Sequence, residues 1–400
     1  MKLIKTVLIT AALASLGLAT VTDGIGGLGL GANPAAPAIW KTDKRVDAGF
    51  TFLSNSEDNE PTSEDLLDIT DNKVGEKSWK TKDELDLAPW VTYTGVFQDI
   101  WYQVGYAAEN AVSKKTTERE YTALGYTDRK NVEKKTESLQ TLSFSAAKDF
   151  NLPAIGGLTA GAKLDVISGS GKISGKEYDA NGNFKSNSNS SQKHTISPYL
   201  QLGVGLAKDI DAKQKVLFAQ TFGAVNDKVS TLKEVYKNGT KNGKAVVTEV
   251  AAQPETALGY VYTVSDALQL GAEYTRTWGV EYDRVTDITK HDDESGVSRQ
   301  EVELLPGNAF GVAASYLPTS EIELQGSITI GKGGGRYTDD EDYSKDTETS
   351  LVFNALYTPS FANIGTVGIG LISESSKYDI DDEEYESRGL TGQFYYTYLF

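Results

Sequence analysis

The sequence predicts an all-β chain closed into a transmembrane antiparallel β-barrel of about fourteen strands, with 12 or 16 as the alternative counts. Three observations carry this prediction. Apolar residues recur at every second position in segment after segment. The connections between segments are short and long by turns. The chain ends on TGQFYYTYLF (391–400), with Phe394, Tyr396, Tyr398 and Phe400 on one parity and Gln393, Tyr395 and Thr397 on the other.

From the beginning, MKLIKTVLITAALASLGLA has Lys2 and Lys5, an apolar run, and then Gly17-Leu18-Ala19. Charge, apolar run and small residues in that order are the layout of a secretory signal, so residues 1–19 are expected to be a signal peptide. The run is short for a membrane span, and beyond it no stretch of eighteen apolar residues follows. Residues 20–44 include the Pro/Ala-rich ANPAAPAIWKTDK and read as an N-terminal periplasmic arm; residues 45–400 read as the barrel.

The alternating segments then follow in order. Val46 to Phe52, Leu85 to Phe97, Ile100 to Ala108, Leu142 to Ala146, Leu158 to Val166, Ile196 to Leu206 and Val216 to Phe222 form the first half. Leu258 to Val264, Leu268 to Tyr274, Val302 to Tyr316, Ile322 to Ile330, Leu351 to Tyr357, Val367 to Leu371 and the terminal segment complete the set. Successive side chains of a strand point to opposite faces, so a period of two is a strand signal. Connections such as Gln98-Asp99 and Ser265-Asp266-Ala267 are short, whereas 54–83, 110–137, 168–194, 226–253, 284–299, 332–348 and 375–387 are long and charged. Tight turns at one end and larger loops at the other characterise an outer-membrane barrel. A soluble sandwich also alternates, but it has no reason to sort its loops by length.

With the apolar parity turned to lipid, the other parity faces the lumen. Its ionisable members are Arg45, Asp47, Glu84, Asp86, Glu109, Lys163, Asp165, Glu255, Glu273, Glu301, Glu303, Glu321, Glu323 and Glu374: twelve acidic residues and two basic ones. Rings of carboxylates attract cations. The pore lining is therefore assigned to Asp47, Glu84, Asp86, Glu109, Lys163, Asp165, Glu273, Glu301, Glu303 and Glu323. Thr159, Lys163 and Asp165 on one strand and Glu301 and Glu303 on another are the candidates for tuning selectivity.

Composition excludes several classes. A net charge of -17 with no basic stripe speaks against nucleic acid, and the absence of cysteine removes disulfides and thiolate metal sites. The two histidines, His194 and His291, lack a nucleophile and an orienting partner placed to converge with them, so no catalytic residue is assigned. No cofactor is expected. Weak Ca²⁺ or Mg²⁺ binding is confined to the acidic loop clusters TDDEDYSKD (338–346) and DIDDEEYES (379–387), with Asp179, Asn181 and Asn183 a weaker candidate.

The signal peptide, the fourteen alternating segments and the terminal YYTYLF together resemble Gram-negative outer-membrane porins, closest in architecture to the fourteen-stranded, monomeric OmpG-like class. The resemblance spans residues 45–400 and implies residence in the cell outer membrane. It also implies that Phe394, Tyr396, Tyr398 and Phe400 form the signal read by the barrel-assembly machinery. Outer-membrane lipid, lipopolysaccharide and small solutes are the partners it implies. The expected function is passive diffusion of ions and small hydrophilic solutes with cation preference. The alternative is a structural or adhesive surface barrel that acts through its long acidic loops.

Overall fold

A computed structural model describes residues 33–40, 44–55, 62–67, 73–121, 129–153, 156–179, 190–224, 229–237, 240–249, 253–291, 294–337, 344–360, 365–380 and 383–400. A short helix, α1 (Ala36–Trp40), precedes eighteen strand segments. They are β1 (Lys44–Asn55), β2 (Thr62–Leu67), β3 (Lys73–Phe97), β4 (Ile100–Tyr121), β5 (Arg129–Leu152), β6 (Gly156–Asp179), β7 (Ser190–Asp209), β8 (Gln214–Ala224) and β9 (Val229–Lys237). Then come β10 (Thr240–Glu249), β11 (Glu255–Ser265), β12 (Leu268–Thr277), β13 (Val280–His291), β14 (Glu294–Tyr316), β15 (Ile322–Tyr337), β16 (Ser344–Tyr357), β17 (Thr366–Ile380) and β18 (Glu383–Leu399).

These segments form fourteen staves. β1 pairs with both β18 and β3, which closes the cylinder. β2 only extends the β3 ladder beyond the membrane. Three neighbouring staves are each built of two segments, β8 with β9, β10 with β11, and β12 with β13. β7 pairs with both β8 and β9, while β14 pairs with both β12 and β13. All pairings are antiparallel, so the expected even strand count and up-and-down order hold. A closed sheet leaves no unpaired backbone edge in lipid.

The breaks in the divided staves are stitched by side chains and turns. The Gln253 amide donates to the carbonyls of Trp278 (3.0 Å) and Leu305 (3.3 Å), and Trp278 N–H donates to Pro254 O (2.9 Å). Beside this seam, Pro306 and Gly307 of β14 oppose the single Gly333 of β15, a bulge. Ser197 and Pro198 form another on β7 opposite Ser168. Proline cannot donate to a ladder, so inside a sheet it belongs at such sites. Each bulge reverses which parity faces inward.

Outside, an apolar band surrounds the barrel. Phe310, Phe353, Ile369 and Leu371 are each more than half exposed, at 52–61%. A soluble chain rarely shows a continuous apolar surface of this extent. Tyr316 and Tyr357 sit near the short-turn end, as does Phe400, which is 70% exposed; Trp278 and Tyr274 sit toward the loops. Aromatics at both margins are the girdles of a membrane barrel. No helix among the described residues is long and apolar enough to cross a membrane.

Two differences from the sequence reading concern the ends of the staves. Much of what reads as charged loop is ladder: β3 and β4 remain paired from Gly75↔Tyr121 down to Phe97↔Ile100, and β5 and β6 from Arg129↔Asp179 to Leu152↔Gly156. Beyond the membrane both faces are wet, so the strands lose their apolar parity while keeping their hydrogen bonds. The second difference is the N-terminal arm. Its described part, residues 33–40, lies inside the barrel rather than below it, as the burial of Asn33, Ala35, Ala36 and Ala38 at 0–3% exposure requires.

Candidate functional site

The lumen has two levels. The lower one, near the short turns, is filled by the chain itself. Asn33 folds its side chain onto the Ala35 N–H (2.9 Å), while its amide reaches the carbonyls of Leu206 (3.3 Å) and Phe218 (3.0 Å) on adjoining strands. α1 starts immediately after, with Ala36 N–H on Asn33 O (2.8 Å) and Ile39 N–H on Ala35 O (3.2 Å). Ala35 packs with Ala207, Leu217 and Ala313, and Ile39 and Val261 close on that cluster. The segment fits because the wall is bare beneath it: a Cβ on Gly161 would sit 2.1 Å from Pro34 O, and one on Gly205 1.9 Å from Asn33 Oδ1.

Across the lumen from this segment, large side chains complete the filling. Trp90, Leu356 and Tyr395 form one buried cluster with Ala107 against it. Tyr395 has no exposed surface and lies flat over Gly368, where a Cβ would meet its ring at 1.9 Å. Beside it the single Arg45 Nε–H is shared between both Asp47 oxygens at 2.8 Å, and Asp47 also accepts from Thr397 Oγ1 at 2.6 Å, with Thr92 Oγ1 at 3.4 Å. A row of inward polar residues, Ser315, Gln325, Asn354 and Gln393, crosses five strands from β14 to β18, with Gly370 of β17 between the last two, at 1–8% exposure.

The upper level is amphipathic. Ile167 and Tyr199 form a buried apolar cluster on β6 and β7, with Leu139 and Ile196 packed against it. Above it, toward the loops, Lys135 pairs with Glu137, whose other oxygen lies 3.3 Å from His194 Nε2. Gly171 leaves the room His194 needs, since a Cβ there would meet its ring at 2.2 Å. Burial pushes the Glu137 carboxyl up, but the hydrogen bonds from His194 and Lys135 outweigh it and hold it below the usual carboxylate range. Sequence reasoning missed this site because the Ser197-Pro198 bulge reverses parity: Ile196, read as lipid-facing, points inward opposite Gly169.

The sequence-predicted pore residues fare unevenly. Asp47 and Asp165 are inward and buried, and Lys163 forms an ion pair with Asp165 at 3.0 Å. Glu323 is inward and bonded to Ser315 and to Gln325 (2.8 Å). Glu273 faces the lumen with Thr275 beside it at 3.3 Å, and Glu109 lies inward opposite Leu139. Thr159 sits at the lower mouth, bonded to Asp149 at 2.6 Å. Glu301 and Glu303 are corrected: Val302 between them is buried at 3%, so above the Pro306-Gly307 bulge they face outward. The side chains of Glu84 and Asp86 lie outside the described residues, as do residues 1–32, 180–183, 338–343 and 381–382, on which the ion-binding candidates of the loops fall in part. Among the described residues no group of three or more His, Asp or Glu is placed to hold a metal ion.

The terminal strand keeps its expected faces. Phe394 is outward and stacks on Phe50 at 5.6 Å, Tyr398 meets Phe400 edge-on at 4.8 Å, and Gln393, Tyr395 and Thr397 are buried inside.

Neither family models nor curated proteins match the sequence. Solved structures match it in fold. The toluene transporter TbuX of Ralstonia pickettii is 12% identical, with 96% of this chain and 98% of that chain covered at a TM-score of 0.57. The monoaromatic hydrocarbon channel CymD is 14% identical, with 96% and 97% covered at 0.59. A FadL homologue of Pseudomonas aeruginosa is 12% identical, with 92% and 93% covered at 0.56. The chain therefore shares the fold of these proteins, a closed antiparallel barrel of fourteen staves.

Proposed function

We propose that this protein is an outer-membrane channel for small, largely apolar molecules. The observation that carries the reading is the inward apolar cluster of Leu139, Ile167, Ile196 and Tyr199 under the Lys135–Glu137–His194 group. An apolar surface with a few placed polar groups is how small organic ligands are bound. The filled lower level keeps the channel from being an open aqueous duct, so passage requires residues 33–40 to give way. The names of the neighbours, toluene transporters and a monoaromatic hydrocarbon channel, favour small aromatic hydrocarbons as the first substrates to try.

The cation-preferring, OmpG-like diffusion pore is the second reading. Its support is the excess of inward carboxylates, but Asp47 and Asp165 have cationic partners and Glu323 is hydrogen-bonded into the wall. Such groups present little free field to a passing ion. Uptake of labelled toluene by cells producing the protein, set beside stepwise conductance of the purified protein in planar bilayers, separates the two. Toluene uptake above vector controls with little steady conductance supports the apolar channel. Cation-selective steps without toluene uptake would restore the porin.

Phe394, Tyr396, Tyr398 and Phe400 remain the proposed assembly signal, supported by their shared outward face. Removing Phe400 should lower the assembled fraction in cells while leaving refolding into detergent intact.

A further inference from the structure

The lipid-facing wall carries a cationic row whose place in the fold suits a lipid rather than a permeant. Arg276 on β12, Asn308 on β14 and Lys332 on β15 are register partners on adjoining strands. All three belong to the outward parity, one step above the outward row Tyr274, Phe310 and Ile330. Counted from the short-turn ends of their strands at Leu268, Tyr316 and Ile322, they lie eight to ten residues along. A tilted strand crosses the hydrocarbon in about 9–11 residues, so the row falls at the boundary where outer-leaflet headgroups begin.

The row is also organised. Asn308 Oδ1 accepts from Tyr274 Oη (2.6 Å) and from Arg276 Nη1 (2.9 Å). The Arg276 guanidinium lies 5.8 Å from the centre of the Trp278 ring, and Trp278 Nε1 is anchored on Thr256 Oγ1 (2.9 Å). Arg276 is thus held in one orientation with most of its donors unused. Neither Arg276 nor Lys332 has a carboxylate partner among the described residues; Glu281 and Glu303, paired on the same outward face, lie beyond the break toward the loops. In a chain of net charge -17, an uncompensated pair of cations pressed against lipid stands out by its complementarity to anionic headgroups.

We propose that Arg276 and Lys332, flanking Asn308 below the Trp278 ring, bind a phosphate of a phosphorylated glycolipid in the outer leaflet. Arg276 supplies directional hydrogen bonds and Lys332 a second, mobile charge. Tyr274, Phe310 and Ile330 lie against the acyl chains below.

The test measures lipid binding to the intact, detergent-solubilised protein by native mass spectrometry. The probes are bisphosphorylated lipid A and its dephosphorylated counterpart with the same acyl chains. With each interfacial cation contributing as in other anionic surfaces, R276Q/K332Q should bind bisphosphorylated lipid A about 30-fold more weakly, and each single variant about fivefold. Dephosphorylated lipid A should bind the wild type and the variants alike, and millimolar inorganic phosphate should not compete. K208Q, which removes a lysine from β7 at the opposite margin of the band, should change nothing. Retained affinity in the double variant, equal binding of the dephosphorylated lipid by the wild type, or a matching loss in K208Q would overturn the proposal. Should the double variant fail to show the heat-modifiable mobility of a folded barrel, the two single variants decide.

Discussion

The two levels of the lumen solve opposite problems with the same wall. Near the short turns, glycines at 161, 203 and 205 strip the wall of side chains, and residues 33–40 occupy the space. Toward the loops, Leu139, Ile167, Ile196 and Tyr199 furnish the wall, and a charged group sits above them. The lower level resembles a protein interior, with a buried ion pair and close packing. The upper one resembles a binding surface, with Glu137 and His194 still 23% and 12% exposed. A barrel wall is therefore neutral as to function, and the choice between glycine and a branched side chain at inward positions makes one level a barrier and the other a site.

The largest effect is expected at the buried pair. Asp47→Ala leaves Arg45 charged and enclosed at 3% exposure. Removing one partner of a buried pair costs about 3–5 kcal/mol. Urea unfolding of the vesicle-inserted protein should show that loss, and a change below about 1 kcal/mol would mean that water reaches the lower level. Next comes the seat of the N-terminal segment. Gly161→Val drives a side chain into the Pro34 carbonyl, and overpacking of this kind costs about 1–3 kcal/mol. The seated population should fall by roughly five- to 150-fold, read as a rise in steady bilayer conductance. Unchanged conductance would mean that residues 33–40 do not close the channel.

A smaller effect belongs to the upper level. Ile167→Ser with Ile196→Ser removes two branched apolar groups from the inward cluster. Each such group contributes about 1.5–3 kcal/mol when fully buried, and less in a partly open site. Toluene uptake should fall several-fold, while steady conductance should stay at the wild-type level because residues 33–40 are untouched. Equal uptake would detach the apolar cluster from transport.

The strands were legible because a stave between lipid and lumen has two unlike sides, which writes a period of two into Val46 to Phe52 or Leu351 to Tyr357. Where that contrast ends the signal ends too, and the paired extensions such as Thr116↔Val132 read as charged loop. The parity argument failed at particular residues. Pro306-Gly307 carried Glu301 and Glu303 outward, and Ser197-Pro198 carried Ile196 inward. A proline inside an otherwise continuous strand is the available sign of such a reversal. The seat of residues 33–40 had no comparable sign, because NPAAPAIW shows no periodicity and its partners are glycines far along the chain.

The smallest effect is the most specific to the upper level. Hydrogen bonds from His194 and Lys135 hold Glu137 below the usual carboxylate range despite its burial. Its folded-state pKa is thus depressed relative to the unfolded chain. The stabilisation is fully present above the ordinary carboxylate pKa and is lost as pH falls through the lower, folded value. Urea stability of the wild type should therefore decline between neutral and acidic pH more than that of Glu137→Gln. His194→Phe removes one of the two donors, so Glu137 should titrate closer to the ordinary carboxylate range and the decline should be smaller than in the wild type. The same variants leave Arg45 and Asp47 untouched, so their steady conductance should match the wild type. A rise in conductance with Glu137→Gln would show the two levels to be coupled, with the charged group above helping to keep residues 33–40 in place below.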